Sequence, residues 1–144
     1  MPPGSTAPRG LAARFQVTID GQNLGAWSKC TGLSVDFQHE VYKELGNNSF
    51  VHLLPMGAKY EPITLERACT AAESVRLQGW LASMVTQPKK GTASITLHDA
   101  AQQEVITWTL SGVFPAKWTG PHLEGKSTEV AFEALVLAHE GFLD

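Results

Sequence analysis

Val41-Tyr42-Lys43-Glu44-Leu45-Gly46-Asn47-Asn48-Ser49-Phe50-Val51-His52-Leu53-Leu54-Pro55-Met56-Gly57-Ala58-Lys59-Tyr60-Glu61-Pro62-Ile63-Thr64-Leu65-Glu66-Arg67-Ala68 is the stretch on which the fold turns. It opens as the end of an alternating strand and breaks at Gly46-Asn47-Asn48. It then runs apolar through Phe50–Leu54, breaks again at Pro55-Met56-Gly57, and resumes as a strand over Tyr60–Arg67. Gly and Asn accept positive φ and punctuate turns. An apolar run between two turns either folds into the core or leaves the domain to cover a neighbour. Two readings follow: a subunit-joining arm over about 45–58, with its apolar run at 46–57, or an ordinary strand with a long hairpin loop. The segment taken alone favours the second.

Outward from this stretch the chain reads as mainly β. Ala13, Phe15, Val17 and Ile19 alternate with Arg14, Gln16, Thr18 and Asp20, the period-two mark of a strand with one buried face. Asp20-Gly21 supplies a turn. Residues 24–32 are less regular and read as a crossover. Leu33, Val35, Phe37 and Val41 alternate with Ser34, Asp36, Gln38 and Glu40, a second strand whose apolar side also carries His39. Pro62 marks the Tyr60–Arg67 strand as an edge or a bulge, because proline cannot donate to a ladder.

Thr70-Ala71-Ala72-Glu73 has the spacing of a capping box. Leu77, Trp80, Leu81 and Met84 follow at helical spacing, and Gln87-Pro88 stops the helix. Ala93, Ile95 and Leu97, then Ile106, Trp108 and Leu110, read as a hairpin. Residues 111–123 read as a bent strand and turn. In the last strand, Glu129–His139, Val130, Phe132, Ala134 and Val136 make one face. The other carries Glu129, Ala131 and Glu133, with the carboxylates read as solvated, and ends in Leu135 and Leu137. A strand apolar on both faces calls for cover on both sides, from the helix or from another subunit. Six or seven strands and one helix predict a closed or sandwiched β-barrel. Residues 1–12, rich in Pro and Gly, read as an extended lead-in to a single domain over 13–144.

The chain has 144 residues, 43% hydrophobic and 17% charged, with a net charge of −3. That gives no basic surface for nucleic acid. No apolar run approaches the roughly 18 residues needed to span a bilayer, and the first ten residues lack the basic-then-apolar order of a secretory signal. Cys30 and Cys69 have no partner at metal-ligand spacing and read as reduced thiols. His39, His52, His98, His122 and His139 are scattered without zinc-site spacing. There is no G-x-S-x-G elbow and no phosphate loop, so no catalytic, cofactor or metal residue is assigned. A small ligand-binding or enzymatic β-barrel is kept as the reading of another class, resting on His98 or His39 entering a pocket.

Several short stretches follow one another in a set order along the chain. They are Phe15-Gln16-Val17 with Ile19-Asp20-Gly21; Trp27–Leu33; Tyr42-Lys43-Glu44 leading to Gly46-Asn47-Asn48; Leu54-Pro55; Lys59-Tyr60; and Ile63-Thr64-Leu65. Trp108, Pro115, Lys117-Trp118, Gly120-Pro121 and Leu123 follow, and Leu137–Gly141 closes the set. In order and spacing the chain resembles the tail-tube proteins of contractile phage tails, most closely those of extracellular contractile injection systems. The resemblance implies a two-sheet β-barrel with one flanking helix, six-membered rings, and rings stacked into a hollow tube inside a contractile sheath.

The resemblance also implies a non-enzymatic protein without cofactors. Its partners would be copies of itself, sheath subunits, baseplate and spike proteins, and cargo in the lumen. It would be assembled in the bacterial cytoplasm as part of a particle that can be released. The subunit interface would comprise Leu45, Gly46, Asn47, Asn48, Phe50, Val51, Leu53, Leu54, Pro55, Met56, Leu135, Leu137, His139 and Glu140. Leu45, Met56 and Ala68 stand where the family usually has glycine. Such departures beside the arm also fit a tube-initiating ring at the baseplate.

Overall fold

A computed structural model describes residues 14–43, 51–121 and 131–143. The lead-in, the arm residues Leu45, Gly46, Asn47, Asn48 and Phe50, and Glu129 and Val130 of the last strand lie outside them. The described residues form nine strands and one helix. In chain order these are β1 (Arg14–Ile19), β2 (Gln22–Trp27), β3 (Lys29–Thr31), β4 (Val35–Lys43), β5 (Val51–Tyr60), β6 (Ile63–Ala68), α1 (Ala71–Thr86), β7 (Gly91–His98), β8 (Glu104–Thr119) and β9 (Phe132–Ala138).

Seven strands make one antiparallel sheet in the order β2-β1-β7-β8-β9-β6-β3, and β4 and β5 pair only with each other. The sheet is not a closed barrel: among the described residues no ladder joins β2 to β3. Those two edge strands are nevertheless consecutive in the chain, separated only by Ser28, whose N–H donates to the Glu66 carbonyl at 3.0 Å. The sheet therefore curls until its edges meet at one residue, and stops short of closure there.

Local chemistry explains the main turns. Asp20 and Gly21 both take positive φ, 50° and 81°, as the tight turn between β1 and β2 requires. The Asp20 carboxylate then accepts the Thr92 N–H at 3.0 Å, tying this turn to the start of β7. Residues 104–119, expected as a strand followed by a bent segment, are one strand. It pairs with β7 through its first half and with β9 through its second, bending at Gly112 (φ 62°). Pro62 falls in the gap between β5 and β6 rather than inside a strand.

The core lies between the concave side of the sheet and α1. Leu77, Trp80 and Met84 of the helix meet Val17, Ile19, Leu24, Trp27, Ile63, Leu65, Ile95, Leu110, Leu135 and Leu137. Two expectations about β9 are corrected here. Leu135 and Leu137 are 0% exposed inside their own subunit, so they cannot contact another copy. Glu133, expected to be solvated, is buried on the same face, while Phe132 on the opposite face is exposed.

The capping box is also absent as such. The Thr70 side chain caps no backbone amide. Its hydroxyl meets the Glu73 carboxylate at 3.3 Å, and that carboxylate instead accepts the Ala26 N–H at 2.9 Å.

Candidate subunit interface

β4 and β5 form a two-stranded ribbon paired from Val35↔Tyr60 to Lys43↔Val51. The expected break at Pro55-Met56-Gly57 is bridged: β5 continues through it, and the irregularity shrinks to a bulge opposite Gln38 and His39. Gly57, at φ 114°, takes the backbone turn that the bulge needs. Pro55 is tolerated because a two-stranded ribbon leaves outward backbone amides unpaired anyway.

Directly opposed residues share a face, so the register sorts the ribbon into two sides. One side carries Val35, Phe37, His39, Val41, Leu53, Pro55, Ala58 and Tyr60, and ends at the Lys43↔Val51 pair. The other carries Asp36, Gln38, Glu40, Lys59 and His52, with Tyr42 and Leu54 among them. This is the amphipathic pattern of a strand pair lying on a core, yet among the described residues none forms a core beneath it. Phe37 is 70% exposed, Leu53 63%, Val41 57% and Val51 53%. The expectation that the β4 alternation marks a buried face is therefore corrected: Phe37 and Val41 face outward, and His39 is exposed with them. The ribbon takes in all of β4 together with the described part of 45–58. His39 on this ribbon cannot line an internal pocket, which removes one support for a ligand-binding barrel.

The root of the ribbon is held by the C-terminal residues. Tyr60 stacks edge-on with Phe142 (centroids 5.1 Å apart) and with His139 (5.6 Å). His139 Nε2 hydrogen-bonds the Glu61 carbonyl at 2.8 Å. A Cβ on Gly141 would stand 2.9 Å from the Tyr60 ring, so glycine is what lets the last residues close on the root. Glu140 is exposed and pairs with Lys90 at 2.7 Å. Of the residues expected at the interface, Val51, Leu53, Leu54, Pro55 and Met56 lie together on the exposed ribbon. His139 lies at its root, and Glu140 lies beside Lys90.

Sequence reading missed a buried polar cluster on β6 and β9. Arg67, 2% exposed, donates from Nε to Glu133 at 2.8 Å and from Nη1 to the Leu24 carbonyl at 2.6 Å. Its guanidinium lies 3.9 Å from the centre of the Trp27 ring. Glu133 also accepts from Ser74 Oγ at 2.9 Å and Trp118 Nε1 at 3.1 Å. One ion pair thus joins β6, β9, β2, β8 and α1. Strand parity was the available signal, since Arg67 continues Ile63 and Leu65, and Glu133 precedes Leu135 and Leu137.

Among the described residues no group of three His, Cys, Asp or Glu is placed to hold a metal ion. No described helix is long and apolar enough to cross a membrane. Burial pushes the Cys30 thiol up to about 11. The Cys69 thiol is raised too, first by burial and then by the Glu133 carboxylate.

Comparison with known proteins agrees with this architecture. Among solved structures, the chain superposes on a chain of an extracellular contractile injection system, the PVC sheath–tube complex in its extended state. The TM-score is 0.73 at 22% identity, covering 89% of this chain and 85% of that one. A chain of the anti-feeding prophage baseplate, 6-fold symmetrised, gives 0.69 at 20% identity, covering 98% and 95%. A type six secretion system protein gives 0.56 at 10% identity, covering 89% and 80%. At these identities the likeness is one of fold. No curated protein matches the chain. The family model of the T4-like virus tail tube protein gp19 matches residues 11–143, nearly the whole length, and the chain belongs to that family.

Proposed function

We propose that this chain is a structural, non-enzymatic subunit of the inner tube of a contractile injection system or phage tail. Copies join into six-membered rings, and the rings stack into a hollow conduit inside a contractile sheath, on a baseplate with its spike. Sheath contraction drives the tube through a target membrane. The observation that carries this reading is the uncovered apolar face of the β4–β5 ribbon, a surface that one copy of the chain leaves wet. Such an arm meets a different part of its neighbour, which makes the contact heterologous. Contacts of that kind generate rings or open helical stacks rather than closed dimers.

A second feature suits a conduit. On the side of the sheet away from the core, Gln16, Thr96 and Thr107 stand in one cross-strand row, and Thr18, Ser94 and Thr109 in the next. All six are neutral, though Thr96 is only 8% exposed and the adjoining row of the same face, Arg14, His98 and Glu104, carries ionisable groups. The patch that offers passing cargo no strong charge is confined to these two rows.

The test is assembly of the purified protein, followed by sedimentation velocity and negative-stain microscopy, against the double variant Val41→Asp/Leu53→Asp. These residues face each other across the ribbon, away from the core. The wild type is expected to form rings or tubes. The variant is expected to melt at the same temperature and remain monomeric. A wild type that stays monomeric at high concentration, or a variant that assembles normally, would sink the reading.

A further inference from the structure

The β4–β5 ribbon joins the rest of the subunit at one place. β4 leaves through 32–34 and β5 returns through 61–62. The two connections touch: Gly32, at φ 97°, passes so close to Pro62 that a Cβ would overlap its carbonyl oxygen. Leu33 packs on the core at this point. Among the named strands and the helix, β4 and β5 make substantial contact only with each other. A ribbon that leaves through a single point finds nothing in those elements to set its angle.

The segment after β9 supplies the hold. His139 and Phe142 close on Tyr60, the last residue of β5, with ring centroids 5.6 Å and 5.1 Å away. His139 Nε2 also donates to the Glu61 carbonyl at 2.8 Å. The same segment is tied to the body on its other side. The Ser111 N–H donates to the Gly141 carbonyl at 3.0 Å, and the Glu140 N–H donates to the Ser111 carbonyl at 2.8 Å. The Glu140 carboxylate pairs with Lys90 at 2.7 Å. The segment thus bridges the bend of β8 and the root of the ribbon.

We infer that His139–Phe142 is a clip that fixes the angle of the ribbon, so that a free subunit presents its arm already aimed at a neighbouring copy. This rests on the reading of the ribbon as a subunit-joining arm, and adds what positions it. His139 and Phe142 are positioning residues, acting through Tyr60 and the Glu61 carbonyl. Their value is preorganisation, since an arm held at one angle loses less freedom on joining. A ribbon that spends only about one-tenth of its time at the joining angle binds about tenfold more weakly.

The test has two readouts, both taken well below the melting temperature of every variant. The first is backbone amide relaxation by NMR in the Val41→Asp/Leu53→Asp chain, expected to be monomeric. With the clip intact, β4 and β5 should share the ratio of longitudinal to transverse relaxation times shown by β7 and β8. Adding Phe142→Ala or His139→Ala should lower that ratio in the ribbon and leave it unchanged in the sheet. His139→Gln, which keeps a donor for the Glu61 carbonyl, should restore much of it. A residue that only added stability would lower the melting temperature without separating ribbon from sheet. The second readout, with Val41 and Leu53 intact, is the concentration at which half the chains sediment as assemblies. His139→Ala and Phe142→Ala are each expected to raise it about tenfold, with His139→Gln closer to wild type.

A ribbon that tumbles with the sheet in both alanine variants, or apart from it with the clip intact, overturns the clip while the arm stands. Ribbons freed by the variants with no change in assembly overturn it too, because the angle then has no bearing on joining. If wild type never assembles, or Val41→Asp/Leu53→Asp assembles like it, the arm reading falls and the clip's role in joining falls with it.

Discussion

Arg67 and Glu133 face each other directly across the β6–β9 ladder, and the guanidinium Nε meets the carboxylate at 2.8 Å with both side chains out of solvent. Desolvating two charges costs several kcal/mol each, and their attraction recovers that cost only if the remaining polar atoms are satisfied. Here they are. Arg67 also holds the carbonyls of Leu24 and Glu73, and Glu133 holds Ser74 and Trp118.

Removing one partner should therefore hurt far more than removing both. Glu133→Ala leaves the buried guanidinium with only the more distant, partly exposed Glu73 carboxylate at 3.9 Å and is expected to cost about 3 kcal/mol. The apolar pair Arg67→Met/Glu133→Leu should regain most of that loss. Urea denaturation midpoints of the three proteins decide it. A single variant as stable as wild type would mean that the pair is not buried as described.

How far the sequence carried the fold follows from this pair. Period-two alternation located most of the strands and the helical period located α1, because those periods are set by backbone geometry. Alternation names two faces without saying which one is covered. In β9 the count of apolar residues favoured Phe132, Ala134 and Val136, and Glu133 appeared to mark the wet side. The carboxylate is inside because Arg67 stands opposite it, a fact of register between strands 66 residues apart. The face of β4 was out of reach for the converse reason. Val35, Phe37 and Val41 have the pattern of a buried face, yet the described residues leave Phe37 70% and Val41 57% exposed. Closure of the barrel was equally out of reach, since no local period records whether β2 and β3 pair across Ser28.

The start of α1 yields a sharper test of side-chain roles. A threonine that caps a helix is worth about 1 kcal/mol. Thr70 lacks the backbone hydrogen bond that gives a cap its value, and its hydroxyl touches only the Glu73 carboxylate. Thr70→Ala should thus cost less than about 0.5 kcal/mol, below the usual range for cap loss.

Glu73→Ala should cost more, about 1–3 kcal/mol, because the half-buried Ala26 N–H then loses its acceptor. Paired thermal or urea melts compare the two. The reverse ranking would restore the capping box and remove Glu73 from its bridge between α1 and β2.

The pH dependence of stability should carry the mark of Cys30. Burial in β3 disfavours its thiolate and pushes its thiol up from 9.0 to about 11. In the unfolded chain the thiol ionises near its ordinary value. As pH rises past 9.0 the unfolded state loses a proton that the native state still holds, so unfolding becomes easier. The contribution is fully present below pH 9.0 and is lost as pH climbs toward about 11. Other groups titrate in the same window, and Cys69 is shifted in the same direction, so the measurement is a difference. Urea midpoints of wild type and Cys30→Ser should run parallel up to about pH 9. They should then converge, or change order, by about pH 11, as only the wild type pays this penalty. A constant gap across the window would place the Cys30 thiol in contact with water.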